Sequence, residues 1–354
     1  MLDKFYILGS KFEQPKSKQT IFVDGSPEVF REGKDIELSH WLPNRTPKKF
    51  KADTSTEICL NFASNPLSGN WDLVVNNHID VDGILSVFTI LHNETALQNR
   101  EILVQAAEMG DFSSYGKTEA QILFQGLTLK MLEGKSKNLD VFKNYKKCLE
   151  EVFLLLDGKI TSEIEEGISA LKKSVSKIEK SEIERKVFNQ RFVSYSIPQN
   201  LAKKNLNSAL NVPKFNSLLS EETLLLPQAR NKFDKEKVQL VCAENENGWF
   251  YDLHYPGFMW AETVNVWRAE GFEFSGSTNG YFYGFPKLEK VVSELRELET
   301  NFGIWVLAKE LTPFSSIKGR GFPVILSFLN SESKPTQSSL KPELVEKMLS
   351  EVFN

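Results

Sequence analysis

The chain is poor in the residues that build covalent or thiolate-bound scaffolds. Among its 354 residues are three cysteines, Cys59, Cys148 and Cys242, widely separated. They make neither a disulfide framework nor a CxxC zinc site. Histidine is almost as scarce: His40, His78, His92 and His254 are all there are, so any imidazole-based site has few candidates. No apolar run approaches the roughly 18 residues of a membrane span. The apolar stretch that follows Met1 is too short for a signal core. An excess of one charge sign is also missing. The 43 Lys and Arg against 47 Asp and Glu leave a net charge of −4, with no basic footprint for non-specific nucleic-acid binding. No repeat of fixed period is present. These absences predict a cytoplasmic protein with no membrane partner and no strong nucleic-acid signal.

Apolar content is ample. The chain is 41% hydrophobic and contains 26 Phe and 6 Trp, which excludes a disordered chain. At about 150 residues per domain, two domains are expected. Residues 1–184 read as an α/β domain with a helical extension, and residues 185–354 as an α+β domain. In the first, Thr20-Ile-Phe-Val-Asp-Gly is a strand entering a turn. Thr54-Ser-Thr-Glu57 is a capping box that opens a helix. Trp71–Val75 is a buried-type strand, and Ile84, Val87, Phe88 and Leu91 share one helix face. Strand, polar turn and helix in that order predict an α/β unit. Helical stripes follow over 95–109, 117–134 and 139–156. The helix from Ser162 carries a seam of Ile164, Ile168, Leu171, Val175 and Ile178. That seam packs on the chain itself or, over 162–183, on a second copy in a homodimer. In the second domain, strands are predicted at 191–195, 238–242, 248–251, 303–307 and 323–328, and helices near 286–301 and 341–352. A polar linker is expected around 198–235.

One constellation carries chemistry: His78-Ile-Asp80-Val-Asp82-Gly83. It follows a strand and precedes a helix, and α/β sheets place ligands at the carboxyl ends of their strands. Two carboxylates and an imidazole on one turn repel or compete unless a cation joins them. The N and O donors suit Mn²⁺ or Zn²⁺, with Mg²⁺ also accommodated. The bland alternative is a solvated turn in which Asp80 or Asp82 caps the next helix. A calcium loop is excluded, because its twelfth position would be Thr89 and apolar residues fill the interval. Asp80-Val-Asp-Gly-Ile-Leu85 looks like the DxDG turn of haloacid dehalogenase-like phosphatases. Asn76-Asn77-His78 interrupts their apolar strand, however, and Gly110-Asp111-Phe-Ser-Ser-Tyr115-Gly116 lacks their second Asp.

Val74-Val-Asn-Asn-His78-Ile-Asp80-Val-Asp82-Gly83-Ile-Leu-Ser86 more closely resembles the first motif of DHH-type phosphoesterases. The chain as a whole also looks like an uncharacterised group of bacterial proteins. The DHH resemblance implies a manganese-dependent hydrolase of phosphate esters or phosphoanhydrides, with His78, Asp80 and Asp82 as metal ligands. Glu108-Met-Gly-Asp111-Phe is similar to a later acidic motif and adds Asp111. The Asp-His-His triplet that names the family is absent, so other residues must complete such a site. His40 and Asp53 flank a Pro-rich loop and are candidates for that place, with Arg45 facing a phosphate. Polar glycine-rich loops at Ser275–Gly280 and Lys318–Gly321 nominate Ser275, Asn279 and Arg320 for the substrate, a small phosphorylated molecule or nucleotide. Hairpin turns explain the same loops without a ligand. The rival functions are an aspartyl-phosphate phosphatase with Asp80 as nucleophile, and a metal- or nucleotide-binding protein without turnover.

Overall fold

The computed structural model describes residues 4–25, 27, 29–264, 272–314 and 317–354. The chain divides into two compact units. The first comprises Met1–Ile168 with Asn216–Leu219 and Ala261–Asn265; the second comprises Ser169–Phe215, Ser220–Trp260 and Val266–Asn354. The architecture is the mixed α/β region with long helices, then the α+β region, that the apolar periodicity predicts.

In the first unit, strands β1 (Phe5–Ile7), β2 (Gln19–Val23), β3 (Asp35–Leu38) and β4 (Trp71–Asn76) form a sheet in the order β1-β4-β2-β3. Every pairing is parallel. Val74 of β4 lies opposite both Phe5 and Ile21. The strands are buried over most of their length, as parallel sheets covered by helices are. Because all four run the same way, residues that leave β2, β3 and β4 emerge along one edge, although they are far apart in sequence.

Helices α1 (Ser55–Ser64), α2 (Val81–Leu91), α3 (Asn93–Gln98), α4 (Arg100–Asp111), α5 (Thr118–Ser136) and α6 (Val141–Leu156) follow. The capping box forms: Thr54 is the N-cap of α1 and its Oγ1 accepts from Glu57 N. Helix α2 starts at Val81, three residues before the apolar stripe does, because Asp80 caps it by accepting from Gly83 N at 2.7 Å. Asp82 and Gly83 therefore sit in its first turn. Helix α7 (Ser162–Glu179) carries the boundary between units, and its whole seam is buried within the chain.

The second unit contains β5 (Glu184–Val187), β6 (Phe192–Ile197), α8 (Gln199–Ala202), α9 (Leu206–Leu210), α10 (Pro227–Asp234), β7 (Val238–Asn245) and β8 (Gly248–His254). Strands β9 (Gly276–Thr278) and β10 (Tyr281–Tyr283), helix α11 (Pro286–Leu298), strands β11 (Ile304–Leu307), β12 (Glu310–Leu311) and β13 (Val324–Leu329), and helix α12 (Pro342–Val352) complete it. The main sheet runs β11-β13-β8-β7-β6-β5 and a small one runs β12-β10-β9. In the main sheet β6 and β7 pair in parallel, whereas the other pairings are antiparallel. A parallel pair needs a crossover. The segment expected as a polar linker is that crossover, and it contains α8, α9 and α10. Ser194 on one face hydrogen-bonds Glu346 of α12, while Tyr195 on the other reaches Asp234 of α10. Among the described residues no helix is long and apolar enough to cross a membrane.

Candidate metal centre

Three adjacent parallel strands deliver the site. Asp24 directly follows β2, His40 lies two residues after β3, and the 76–83 turn follows β4. Asp24 has a φ of 51°, a left-handed conformation that Asp tolerates better than most residues. Its backbone N–H donates to Leu38 O at 3.1 Å, which ties the two strand ends together. Its Oδ1 accepts from Ser55 Oγ at 2.8 Å and from Trp41 Nε1 at 3.1 Å. The carboxylate is fully buried.

Two clusters share this carboxylate. On its Oδ2 side, His78 Nε2 lies 3.2 Å from Asp24 and 2.9 Å from Asp80 Oδ2. On its Oδ1 side, His40 Nε2 lies 3.7 Å from Asp24, 3.5 Å from Asp82 Oδ2 and 3.3 Å from Asp111 Oδ2. Asp24, His40 and Asp82 are entirely buried, and Asp111, the last residue of α4, nearly so. The sequence motif is thus divided: His78 and Asp80 belong to one cluster and Asp82 to the other.

The surroundings fix the orientation of the imidazoles. His40 Nδ1 is 2.7 Å from Asp53 O. A carbonyl only accepts, so Nδ1 carries the hydrogen and Nε2 faces the carboxylates. Metal-binding histidines are commonly held by such a bond. His78 Nδ1 meets Asn77 Oδ1 at 2.6 Å, leaving its Nε2 for Asp24 and Asp80. Asp82 is anchored from another helix: its oxygens accept from Ser55 N at 2.8 Å and Thr56 N at 2.7 Å, at the amino end of α1. Asp80 both caps α2 and pairs with His78, so the capping and ligating readings of that residue are compatible. Gly83 permits the crowding. A Cβ there would stand 3.0 Å from Asp24 Oδ2 and from Asp80 Oδ1, and would overlap the Asn76 amide.

The electrostatics record surplus negative charge. Burial, reinforced by the charges of Asp80 and Asp82, holds the Asp24 carboxyl well above the usual range. Burial, reinforced by Asp82 and Asp80, does the same to Asp111. Burial opposes a charged His78, but Asp80 and Asp24 outweigh it and raise the imidazole well above its ordinary value. Burial also works against an ionised Asp80, yet the charge and hydrogen bond of His78 leave it below the usual range. Asp24, Asp111 and His78 therefore hold their protons more tightly than they would in water. A buried Asp/His cluster of this composition is capable of holding a divalent metal ion.

Other residues nominated from sequence lie as follows. Asp53 joins through its backbone carbonyl, while its Oδ1 accepts from Val264 N at 2.7 Å. Arg45 Nη1 is 3.7 Å from Glu37 Oε2, and its guanidinium stacks over the Phe30 ring. In the second unit, Asn279 and Gly280, both at positive φ, turn the hairpin between β9 and β10, and Ser275 N donates to Tyr283 O at that hairpin's base. Arg320 is engaged by Asp252. Asp24 is the residue that sequence reasoning missed. Its available signal was the Asp-Gly that ends an apolar strand.

The fold and cluster define an α/β protein with a candidate divalent-cation centre at the carboxyl edge of a parallel sheet. Residues 10–185 match the sequence model of a family of unknown function (DUF6687). That span includes every residue of the cluster, from Asp24 to Asp111. No curated protein and no solved structure matches the chain.

Proposed function

We propose that this protein binds divalent cations at the Asp24 cluster, in two neighbouring positions that share the Asp24 carboxylate. One position would use His78 and Asp80, the other His40, Asp82 and Asp111. The observation that carries this reading is the arrangement of Asp24, whose Oδ2 approaches His78 and whose Oδ1 approaches His40. A carboxylate between two donor sets is the arrangement two-metal sites require, with cations about 3.5–4 Å apart. Imidazole and carboxylate donors favour Mn²⁺, Zn²⁺ or Mg²⁺ without choosing among them. The test is metal content after dialysis, read by elemental analysis, for wild type and Asp24→Asn. Two equivalents in the wild type and none in the variant are expected. Two equivalents retained by Asp24→Asn would sink the shared-ligand reading, and none in wild type would sink cation binding itself.

The same shared carboxylate supports a finer reading as a phosphoester or phosphoanhydride hydrolase resembling the DHH type. Paired divalent cations supply Lewis acidity that activates water and neutralises phosphoryl oxygens. In this reading Asp53 O would hold His40 in the ligating tautomer, and Arg45 would meet the substrate from its exposed position. Manganese-loaded protein should then turn over a generic aryl phosphodiester, and Asp24→Asn should not. Metal-loaded protein inert towards phosphodiesters and pyrophosphate leaves a cation-binding protein without this turnover.

A further inference from the structure

The second unit contains a buried polar cluster that the cation reading does not use. Arg230, in the middle of α10, lies against the main sheet and is 4% exposed. Its Nη1 donates to Gln239 Oε1 at 2.6 Å. Its Nε is buried and makes no hydrogen bond among the described residues. Gln239 on β7 stands directly across from His254 on β8. His254 is equally buried, and among the described residues its Nδ1 makes no hydrogen bond either.

The neighbouring acid is already engaged. Asp252, two residues before His254 and on the same face of β8, is gripped by Arg320, whose Nε lies 3.0 Å from Oδ1 and whose Nη2 holds the other oxygen. Arg320 Nη2 also donates to Leu210 O at 3.0 Å. The acid of α10 itself, Asp234, is taken by Arg185, Lys237 and Tyr195. Arg320 thus already holds the carboxylate whose charge acts on Arg230, and a buried cation without its counter-charge is costly. Burial lowers the pKa of Arg230 to about 10. Burial, with the charges of Arg230 and Arg320, pulls His254 well below its ordinary value and keeps it neutral near pH 7. A neutral imidazole can still present one N–H, and the Nε edge of a guanidinium is a fork matched to two oxygens. Among the described residues, what the cluster lacks is one negative charge carried on acceptor oxygens.

We propose that Arg230 and His254, bordered by Gln239 and the Arg320–Asp252 pair, form a binding site for a small oxyanion group. Phosphoryl and carboxylate groups both have the charge and oxygens required. The site lies wholly within the second unit, and the proposal does not depend on cation binding by the first.

The test uses the full chain stripped of metal with EDTA, so that no cation in the first unit can bind the probe. Melting temperature is followed against inorganic phosphate and, separately, acetate, with ionic strength held constant by sodium chloride. A saturable rise of about 3 °C at several times the dissociation constant is expected. A response to phosphate alone assigns a phosphoryl group, and a response to acetate alone a carboxylate. Arg230→Met keeps the side-chain length and removes the charge, so it should abolish the response without lowering the melting temperature in chloride. His254→Gln should weaken the response several-fold, and it decides the matter if Arg230→Met does not fold. Three results would overturn the proposal: no response to either anion, a linear rise that never saturates, or a response that survives both substitutions.

Discussion

The buried polar clusters of the two units are opposite in sign. In the first, Asp24, Asp80, Asp82 and Asp111 surround two imidazoles. In the second, Arg320 pairs with Asp252, while the charges of Arg230 and Arg320 act on the buried His254. Burial without sufficient counter-charge moves both sets away from the charged form: Asp24 and Asp111 upward, Arg230 and His254 downward. A third cluster serves as the control. Asp234 accepts from Arg185 Nε at 2.6 Å, from Arg185 Nη2 at 2.8 Å and from Tyr195 OH at 2.5 Å, with Lys237 Nζ 3.1 Å away; there every charged group has its partner, and both cations also reach solvent. A balanced cluster completes itself within the fold. Under the two proposals, the unbalanced ones are where something from outside belongs.

The largest expected effect tests the acidic side. Mn²⁺ or Zn²⁺ at 100 times its dissociation constant should stabilise the protein by about 2.7 kcal/mol per site, or roughly 5–10 °C in melting temperature. Asp24→Asn should lose that gain. Without metal the variant should melt at or above wild type, because Asn retains an oxygen for Ser55 and Trp41 while a buried carboxyl is removed. Early melting of metal-free Asp24→Asn, with the wild type indifferent to cations, would make Asp24 a purely structural residue and remove the contrast between the units.

Next comes the balanced cluster. Asp234→Ala removes the carboxylate that pairs the partly buried Arg185 and leaves the Tyr195 hydroxyl only its longer bond to Arg230 O, so a loss of about 2–3 kcal/mol is expected in denaturant unfolding. Neither added cation nor added anion should rescue it. Rescue by either would mean that this cluster too is incomplete.

The pH dependence separates the clusters by sign and is smaller still. Asp24 and Asp111 have folded pKa values above the unfolded value of 3.8. The folded state therefore holds extra protons, and metal-free stability falls as pH rises through that interval. His78, also raised, adds stability below its unfolded value of 6.5 that is lost as pH rises through its folded value. Asp234 is depressed, because its hydrogen bonds from Arg185 and Tyr195 outweigh burial; its contribution is present above 3.8 and lost as pH falls through the folded value. The gap between metal-loaded and metal-free melting temperatures should widen from about pH 5 to pH 8, with protons released on binding. A gap that narrows towards alkaline pH would reverse the assignment of excess acid.

How much of this was legible in the sequence depends on how local each feature is. The α/β and α+β classes follow from apolar periodicity, which needs only neighbouring residues. The 78–83 motif is likewise contiguous. Asp24 was not legible, because an Asp-Gly after a strand reads as a turn. It enters the cluster only through the order β1-β4-β2-β3, which sets β2 beside β4. The division of the motif between two clusters depends on that order as well. Arg230 lies in a stretch whose polarity reads as linker. Its proposed role depends on α10 packing against β7, a contact that no periodicity in residues 198–235 announces.

The smallest expected effect concerns Gly83, and it tests whether the crowding around the acids is part of the cation geometry. Gly83 sits in the first turn of α2, where alanine would gain about 0.5–1 kcal/mol from helix propensity. A Cβ there would press on Asp24 Oδ2 and Asp80 Oδ1 and overlap the Asn76 amide. Asn76 Oδ1 accepts from His78 N at 3.1 Å, so displacing it also moves His78. The two contributions to stability oppose each other, and metal-free Gly83→Ala should unfold within about 1 kcal/mol of wild type. Cation affinity has no such compensation. The groups that the new methyl pushes are the candidate ligands themselves, so binding measured by calorimetry should weaken about ten-fold or more. If affinity is unchanged while stability rises by the full propensity gain, the side chains around Gly83 yield freely, and the close approach of Asp24 to Asp80 and His78 is not what a cation would need.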